Sequence, residues 1–442
     1  MNLTQRKAYY NLCNPYIESI DDKYILDIDG FEIDGRALNV RGEEHLADEI
    51  VTQISWSNTP QSIYFTGYSG SGKTTELKRV MNRLESSEEG NLLAIYINII
   101  DYADINSPID LSDILTIITY KVIEGLGVYQ GKSEADIFGE NDYFGRLWHW
   151  LKDTNISFDT FNIDVGGASI VANIKETPQF RKLVKESIND NFSKYKRDIF
   201  EELNKINEVV KRYEKNGIKK DGIVVVIDQL EKNRGTSVNV DEVKEAIEKV
   251  FANRDNLALP IDVIYTIPSY LSTKKSVGDI SFLPVVKVIN RDDTPSQDGI
   301  EVMKSFIEKR IPKDDLKEIL GDDYISKLEY IIKATGGYPR DLLKIIQAII
   351  TTKNYPNSIA DIDKALKSID NDFQEFLISH QEYKDELIAI YESKALRHNE
   401  DIIYNLFNAH AIFRYMNGEL WFNTHPSINK LLGLNIDGNG TR

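Results

Sequence analysis

Gly67-Tyr68-Ser69-Gly70-Ser71-Gly72-Lys73-Thr74 satisfies the pattern G-x-x-x-x-G-K-[ST] at every required position. The chemistry such a segment can do is to hold a polyphosphate. Its glycines let the backbone turn N–H groups toward phosphate oxygens, and a helix starting directly afterwards adds a favourable field at its N-terminus. Lys73 has the charge and reach for the outer phosphates, and the Thr74 hydroxyl suits a Mg2+ ion. Gly67, Ser69, Gly70, Ser71, Gly72 and Thr75 complete the set of residues expected around the phosphates.

A Mg2+ ion needs a second oxygen arm. Asp228 ends the apolar run Ile223-Val224-Val225-Val226-Ile227, so its carboxylate should emerge at the C-terminal edge of a buried strand. Ligands of open α/β sheets bind at that edge. Asp228 is therefore expected to share the metal with Thr74, although an Asp after a strand can also be a plain turn former. Gln229 follows where many such sites carry a glutamate as general base. Glu231 is the nearest carboxylate and the candidate base, with a solvated surface glutamate as the alternative. Thr266, near the end of IDVIYTI, could touch the terminal phosphate or position the attacking water, or could be a strand residue with a satisfied hydroxyl. Arg340 follows Pro339 at a helix start and could reach back to the nucleotide, or could be an ordinary first-turn arginine.

These residues need a frame to hold them. Residues 62–66 (SIYFT) form a short apolar run before the loop, and further strands are expected at 92–99, 222–228, 261–267 and 284–289. Most are continuous apolar runs, as in strands covered on both faces of a parallel sheet, and the helices between them imply right-handed βαβ units. Within the long stretch between the second and third strands, 161–176 alternates around Gly166-Gly167 and predicts a β-hairpin. Residues 179–215 space apolar side chains by three and four, from Val184 through Ile199 to Val210, and predict one long helix of about 50 Å. Helices are expected afterwards at 300–311, 315–334, 339–352, 358–370, 373–396 and 400–408, and Asn417-Gly418 signals a closing hairpin. The fold class is α/β: a parallel-sheet P-loop core with a helical insertion, an α-helical lid and a winged-helix-like C-terminus. The expected boundaries are 1–58 for the N-terminal segment, 59–292 for the core (insertion about 130–220), 293–372 for the lid and 373–442 for the winged-helix-like part.

Together these motifs resemble the additional-strand P-loop ATPases, in the region where AAA+ proteins meet STAND and origin-recognition-like ATPases. The resemblance spans roughly residues 38–350, and more weakly the tail. Val40-Arg41-Gly42-Glu43 looks like the box that precedes the phosphate loop and lines the adenine pocket. Gly67–Thr74 matches Walker A, Ile223–Asp228 Walker B and Thr266 sensor 1. Gly337-Tyr338-Pro339-Arg340 matches the lid signature, with Arg340 at the sensor 2 position. The ending, with Trp421 and His425-Pro426, looks like uncharacterised bacterial ATP-binding proteins, some of whose relatives sit in anti-phage defence loci. The resemblance implies ATP and Mg2+ as cofactors and ATP hydrolysis as the activity. Two departures matter: Gln229 stands where an acid is usual, and residues 268–284 hold no arginine finger, only Lys274 and Lys275. Both fit a nucleotide-gated switch, assembling on ATP binding, better than a fast ring motor. No NKxD guanine box follows the loop, which favours ATP over GTP.

Composition narrows the partners. Lys and Arg total 53 against 70 Asp and Glu, a net charge of −17, which disfavours nucleic acid or anionic membrane as the main partner. From 398 onward the cations are Arg414, Lys430 and Arg442 alone, little help to a DNA-binding initiator or loader, the alternative reading. Between Lys175 and Lys220 thirteen Lys and Arg stand against eight Asp and Glu, so 161–216 is the expected docking segment for an acidic protein partner or for nucleic acid, with a solvated helix face as the plain alternative. Cys13 is the only cysteine, and no run of eighteen apolar residues is present. The chain reads as cytoplasmic.

Overall fold

The computed structural model describes the chain except for residues 17–20, 43–44, 134–136, 138–142, 155–160, 162–166, 398–399 and 435–442. The described strands are β1 (Glu32–Ile33), β2 (Arg36–Ala37), β3 (Ser62–Gly67), β4 (Leu92–Asn98), β5 (Glu214–Lys215), β6 (Ile218–Lys219), β7 (Gly222–Asp228), β8 (Asp262–Thr266), β9 (Ser281–Leu283), β10 (Ile412–Asn417) and β11 (Glu419–Thr424). Two units divide the chain. One holds Ala47–Thr66 and Thr75–Phe282; the other holds Met1–Leu46, Gly67–Thr74 and Leu283–Arg442.

The first of these is built on the parallel sheet, ordered β4-β7-β8-β3-β9. β8 thus lies between the strand that leads into the loop and the strand that ends at Asp228. Every residue of β7 is buried, as its unbroken apolar run requires, whereas β4 at the sheet edge alternates buried and half-buried residues. Ile227 is level with Tyr265 and Phe65 with Thr266, so β7 and β8 end level with each other and β3 runs two residues further.

The stretch between β4 and β7 departs from expectation. Residues 162–166 lie outside the described residues, but 167–176 is helical rather than the second arm of a hairpin (Gly167–Glu176). Ile170, Val171 and Ile174, which alternate poorly but share a helical face, are the residues it buries. The single long helix is two helices, Pro178–Asp190 and Phe192–Arg212, broken at Asn191, whose backbone (φ −130°, ψ 27°) leaves the helical region. Helix Phe192–Arg212 packs against β7 and against helix Leu111–Tyr129, burying Tyr195, Ile199, Leu203, Ile206 and Val210. Buried Arg181 is bound to buried Asp113 (2.7 Å) and Lys185 to Asp110 (3.0 Å), which joins the segment to helix Leu111–Tyr129.

The fifth strand also falls elsewhere, at Ser281–Leu283 and not 284–289. Pro284 has no N–H to give a ladder, and beyond it the chain pairs with the other unit's own backbone: Lys287 N–H donates to Val40 O (2.9 Å) and Ser296 N–H to Val288 O (3.0 Å).

That second unit is helical, with Gln297–Glu308, Lys313–Leu320, Tyr324–Ala334, Pro339–Ile350, Ile359–Ser379, Lys384–Ser393 and Glu400–Asn408. The expected helix 315–334 is divided at Gly321 (φ 98°). Conversely, 358–370 and the start of 373–396 form one helix, because Ile362, Leu366, Ile369, Phe373 and Leu377 keep a single buried face through Asn371. The chain breaks instead near His380. β10 and β11 pair from Ile412↔Thr424 to Asn417↔Glu419 and turn over at Gly418, giving the winged-helix-like end of the chain.

Candidate functional site

The loop closes on itself tightly. Ser71 N–H donates to Tyr68 O (3.0 Å), and the buried Lys73 ammonium lies on its own loop, donating to Gly67 O (3.1 Å) and Tyr68 O (3.3 Å). Thr74 and Thr75 sit in the first turn of helix Lys73–Glu85. Arg41 is buried against the loop, where its guanidinium donates to Ser71 O (2.9 Å) and lies 4.0 Å from the Asp29 carboxylate. Val40 is also buried, its backbone held by Leu38 and Lys287. Glu43, the last residue of that box, lies outside the described residues.

The helical lid reaches the same loop. Gly336 (φ 62°) and Gly337 (φ 75°) end the preceding helix, and a Cβ on Gly337 would stand 2.0 Å from Val286 O, so only glycine fits there. Pro339 then opens the next helix. Tyr338 Oη donates to Ser69 O, and Arg340 donates to Ser69 Oγ (3.0 Å). The Arg340 side chain covers Gly70, whose φ of 93° and missing Cβ leave room for it. The Arg340 guanidinium carbon also lies 5.5 Å from the Tyr16 ring centroid. Sequence reasoning brought Arg340 to this place and missed Tyr338, whose only signal was its position inside the lid signature.

The loop is also held from the winged-helix-like end. Tyr68 is fully buried, stacked on Phe407 (5.5 Å between centroids, 7° between planes) and edge-on to Phe413 (5.6 Å). Burial pushes its phenol well above the ordinary range, so it stays neutral. His425 is fully buried and structural. Its Nδ1 accepts from Ser427 N–H (3.1 Å), and its Nε2 lies 3.4 Å from Asp341.

The acidic strand end belongs to the other unit. Asp228 is fully buried; Gln229 N–H donates to its Oδ1 and Tyr96 Oη to its Oδ2, both at 2.8 Å. Gln229 takes a left-handed conformation (φ 71°), uncommon for a residue with a Cβ. Its side-chain oxygen accepts from Lys232 (2.5 Å). Thr266 Oγ1 accepts from Leu230 N–H (3.1 Å), which fixes the turn containing Glu231. Glu231 is buried, so it is not a solvated surface glutamate. Asp228, Glu231 and Thr266 are therefore grouped, as are Arg41, Ser69, Ser71, Lys73 and Arg340 within their own unit.

Around the loop, the donor set suits a polyphosphate: a glycine turn, a buried ammonium and a helix N-terminus, with the Thr74 hydroxyl as an oxygen ligand for a hard cation. Among the described residues, no group of three or more His, Cys, Asp or Glu could hold a metal by itself, and no helix is long and apolar enough to cross a membrane. No family model matches the chain, and no curated protein matches it. Among solved structures it is similar to the crystal structure of Cdc6p from Pyrobaculum aerophilum, over 94% of this chain and 97% of that one, at 12% identity and a TM-score of 0.34.

Proposed function

We propose that the chain is an ATP-binding, slowly hydrolysing ATPase of the AAA+/STAND type, a nucleotide-gated switch or assembly module for a protein partner in bacterial anti-phage defence. The observation that carries this reading is the joining of the phosphate loop to the lid by Tyr338 and Arg340 on Ser69. A polyphosphate seated on the loop must meet or displace those contacts. Its arrival is thereby felt by the helix that Arg340 opens. Thr74 and Asp228 would hold Mg2+, which neutralises phosphate charge; Lys73 would bind the outer phosphates. Slow turnover is supported by Gln229 in place of an acid, leaving Glu231 as the base.

A partner face within 161–216 is supported by Phe200 and Val209, 39% and 42% exposed on helix Phe192–Arg212. Several of the segment's cations have internal partners, among them Arg181 on Asp113, Lys185 on Asp110, and Lys211 and Arg212 on Glu208, which speaks for a protein over a nucleic acid. The winged-helix-like end favours a second reading, an origin-recognition-like initiator or loader. Against it, Lys430 is paired with Asp370 (2.6 Å), and burial holds the Arg414 guanidinium below its usual range.

The test is nucleotide binding and phosphate release by Lys73→Ala and Asp228→Ala, with size in solution measured in ATP and in ADP. Loss of binding in the first, loss of Mg2+-dependent turnover in the second and a nucleotide-dependent size are expected. Unchanged nucleotide binding by Lys73→Ala would overturn the site. Salt-dependent DNA retention by the full chain would favour the second reading.

A further inference from the structure

We propose that Tyr96 is a positioning residue that aims the Asp228 carboxylate at the divalent cation. The inference rests on the reading of Asp228 as the metal arm. β4 and β7 run parallel in unbroken register from Leu92↔Gly222 to Asn98↔Asp228, which puts Tyr96 opposite Val226. Alternate residues of a strand share a face, so Tyr96 and Asp228 lie on the same side of the sheet, two residues apart along it. The phenol spans that distance, and its Oη donates to Asp228 Oδ2 at 2.8 Å.

The other oxygen is held by the chain itself. Gln229, in its left-handed conformation, turns its N–H back to Asp228 Oδ1 (2.8 Å). A donor on each oxygen fixes the carboxylate plane. Asp228 is fully buried, so bulk water cannot take over the phenol's place without local rearrangement. Mg2+ demands near-ideal octahedral geometry, and a carboxylate that has lost the donor on one oxygen no longer presents that oxygen at a fixed angle. Outer-shell partners of metal ligands contribute about 10- to 100-fold in metal affinity. That is the contribution assigned to Tyr96.

The test uses the full chain with ADP and follows free Mn2+ by electron paramagnetic resonance, comparing wild type, Tyr96→Phe and Asp228→Asn. Tyr96→Phe should weaken Mn2+ binding about 10- to 100-fold while leaving ADP affinity in EDTA unchanged. Tyr96→Leu should give the same metal defect, since the hydroxyl is what matters. If Asp228→Asn loses Mn2+ and Tyr96→Phe holds it within about threefold of wild type, the positioning role is wrong and the metal-arm reading stands. If Asp228→Asn also binds Mn2+ normally, the metal-arm reading fails and takes this proposal with it. Tighter Mn2+ binding by Tyr96→Phe would mean that the phenol obstructs the site, and would equally overturn the proposal.

Discussion

Gly70→Ala reports directly on whether Arg340 lies over the phosphate loop. A methyl at residue 70 would stand 2.3 Å from Arg340 Nε and 2.8 Å from Arg340 Cβ, on a backbone with φ of 93°. Two costs follow. The left-handed backbone is unfavourable for any residue with a Cβ, by about 1–2 kcal/mol. The overlap adds about 1–3 kcal/mol, because a Cβ near the helix backbone cannot swing aside as a side-chain tip can. Removing the whole side chain, Cβ included, relieves only the second cost. In an Arg340→Gly background, Gly70→Ala should therefore destabilise by about 1–2 kcal/mol, against about 2–5 kcal/mol in the wild type. The coupling of about 1–3 kcal/mol is well above the roughly 0.3–0.5 kcal/mol within which independent sites add. Urea unfolding of the four proteins in EDTA measures it. Equal effects of Gly70→Ala in both backgrounds would refute the placement of Arg340 on the loop, and with it the observation behind the switch reading.

Two further outcomes concern carboxyls, half-buried Asp262 in one unit and buried Asp341 in the other. Burial pushes the Asp262 carboxyl from 3.8 up to about 6, against the opposing Gln61 N–H bond and the Lys211 charge. A raised acid costs stability as pH climbs through about 4 to 6, so about two units at roughly 1.36 kcal/mol each make Asp262→Asn more stable by about 3 kcal/mol at about pH 7 and neutral near about pH 3.5. The asparagine keeps the acceptor for Gln61 N–H (2.7 Å), and equal effects at both pH values in urea unfolding would contradict this. For Asp341, burial acts to raise the carboxyl, but the bond and charge from His425, aided by Lys344 and His410, leave it below its ordinary value. Its contribution is present above about pH 4 and lost as pH falls through the folded value. His425→Ala should destabilise by about 3–5 kcal/mol at about pH 7, since it strands a buried carboxylate, with the loss shrinking in acid; a flat difference between about pH 7 and about pH 3 would exclude the pairing.

The loop was legible because phosphate chemistry demands fixed residue types within eight consecutive positions, and the buried strands because an unbroken apolar run has few other uses. Where the reading slipped, a local pattern supported two periods at once. Ile170 and Ile174 fit either a strand or a helix, but Val171 shares their face only in a helix, and the helix buries all three. Asn191 breaks a helix whose apolar spacing continues smoothly past it, because its side chain offers the backbone a competing partner. Pro284 was read as the start of a strand when it ends one. The contacts that hold the site were beyond reach for another reason: Tyr96 meets Asp228 across 132 positions and Tyr338 meets Ser69 across 269. No local pattern encodes such pairs; only the sheet register and the lid turn bring them together.

Under the proposed function, turnover depends on how the turn after β7 treats water. Three groups there could act on it, and two already have roles in the fold. Thr266 uses its oxygen to accept from Leu230 N–H, which holds the turn in place, although its own O–H is still available to donate. Gln229 carries no basic lone pair of use at neutral pH, and its oxygen is engaged by Lys232. An acid at that position would pair with the same lysine 2.5 Å away and lose basicity, so the substitution and Lys232 act in the same direction. Glu231 remains, buried in the same turn and three residues from the metal arm instead of one. Under the proposed function slow hydrolysis is the expected outcome, and slowness is what a switch would need if its ATP state were to last long enough to find a partner.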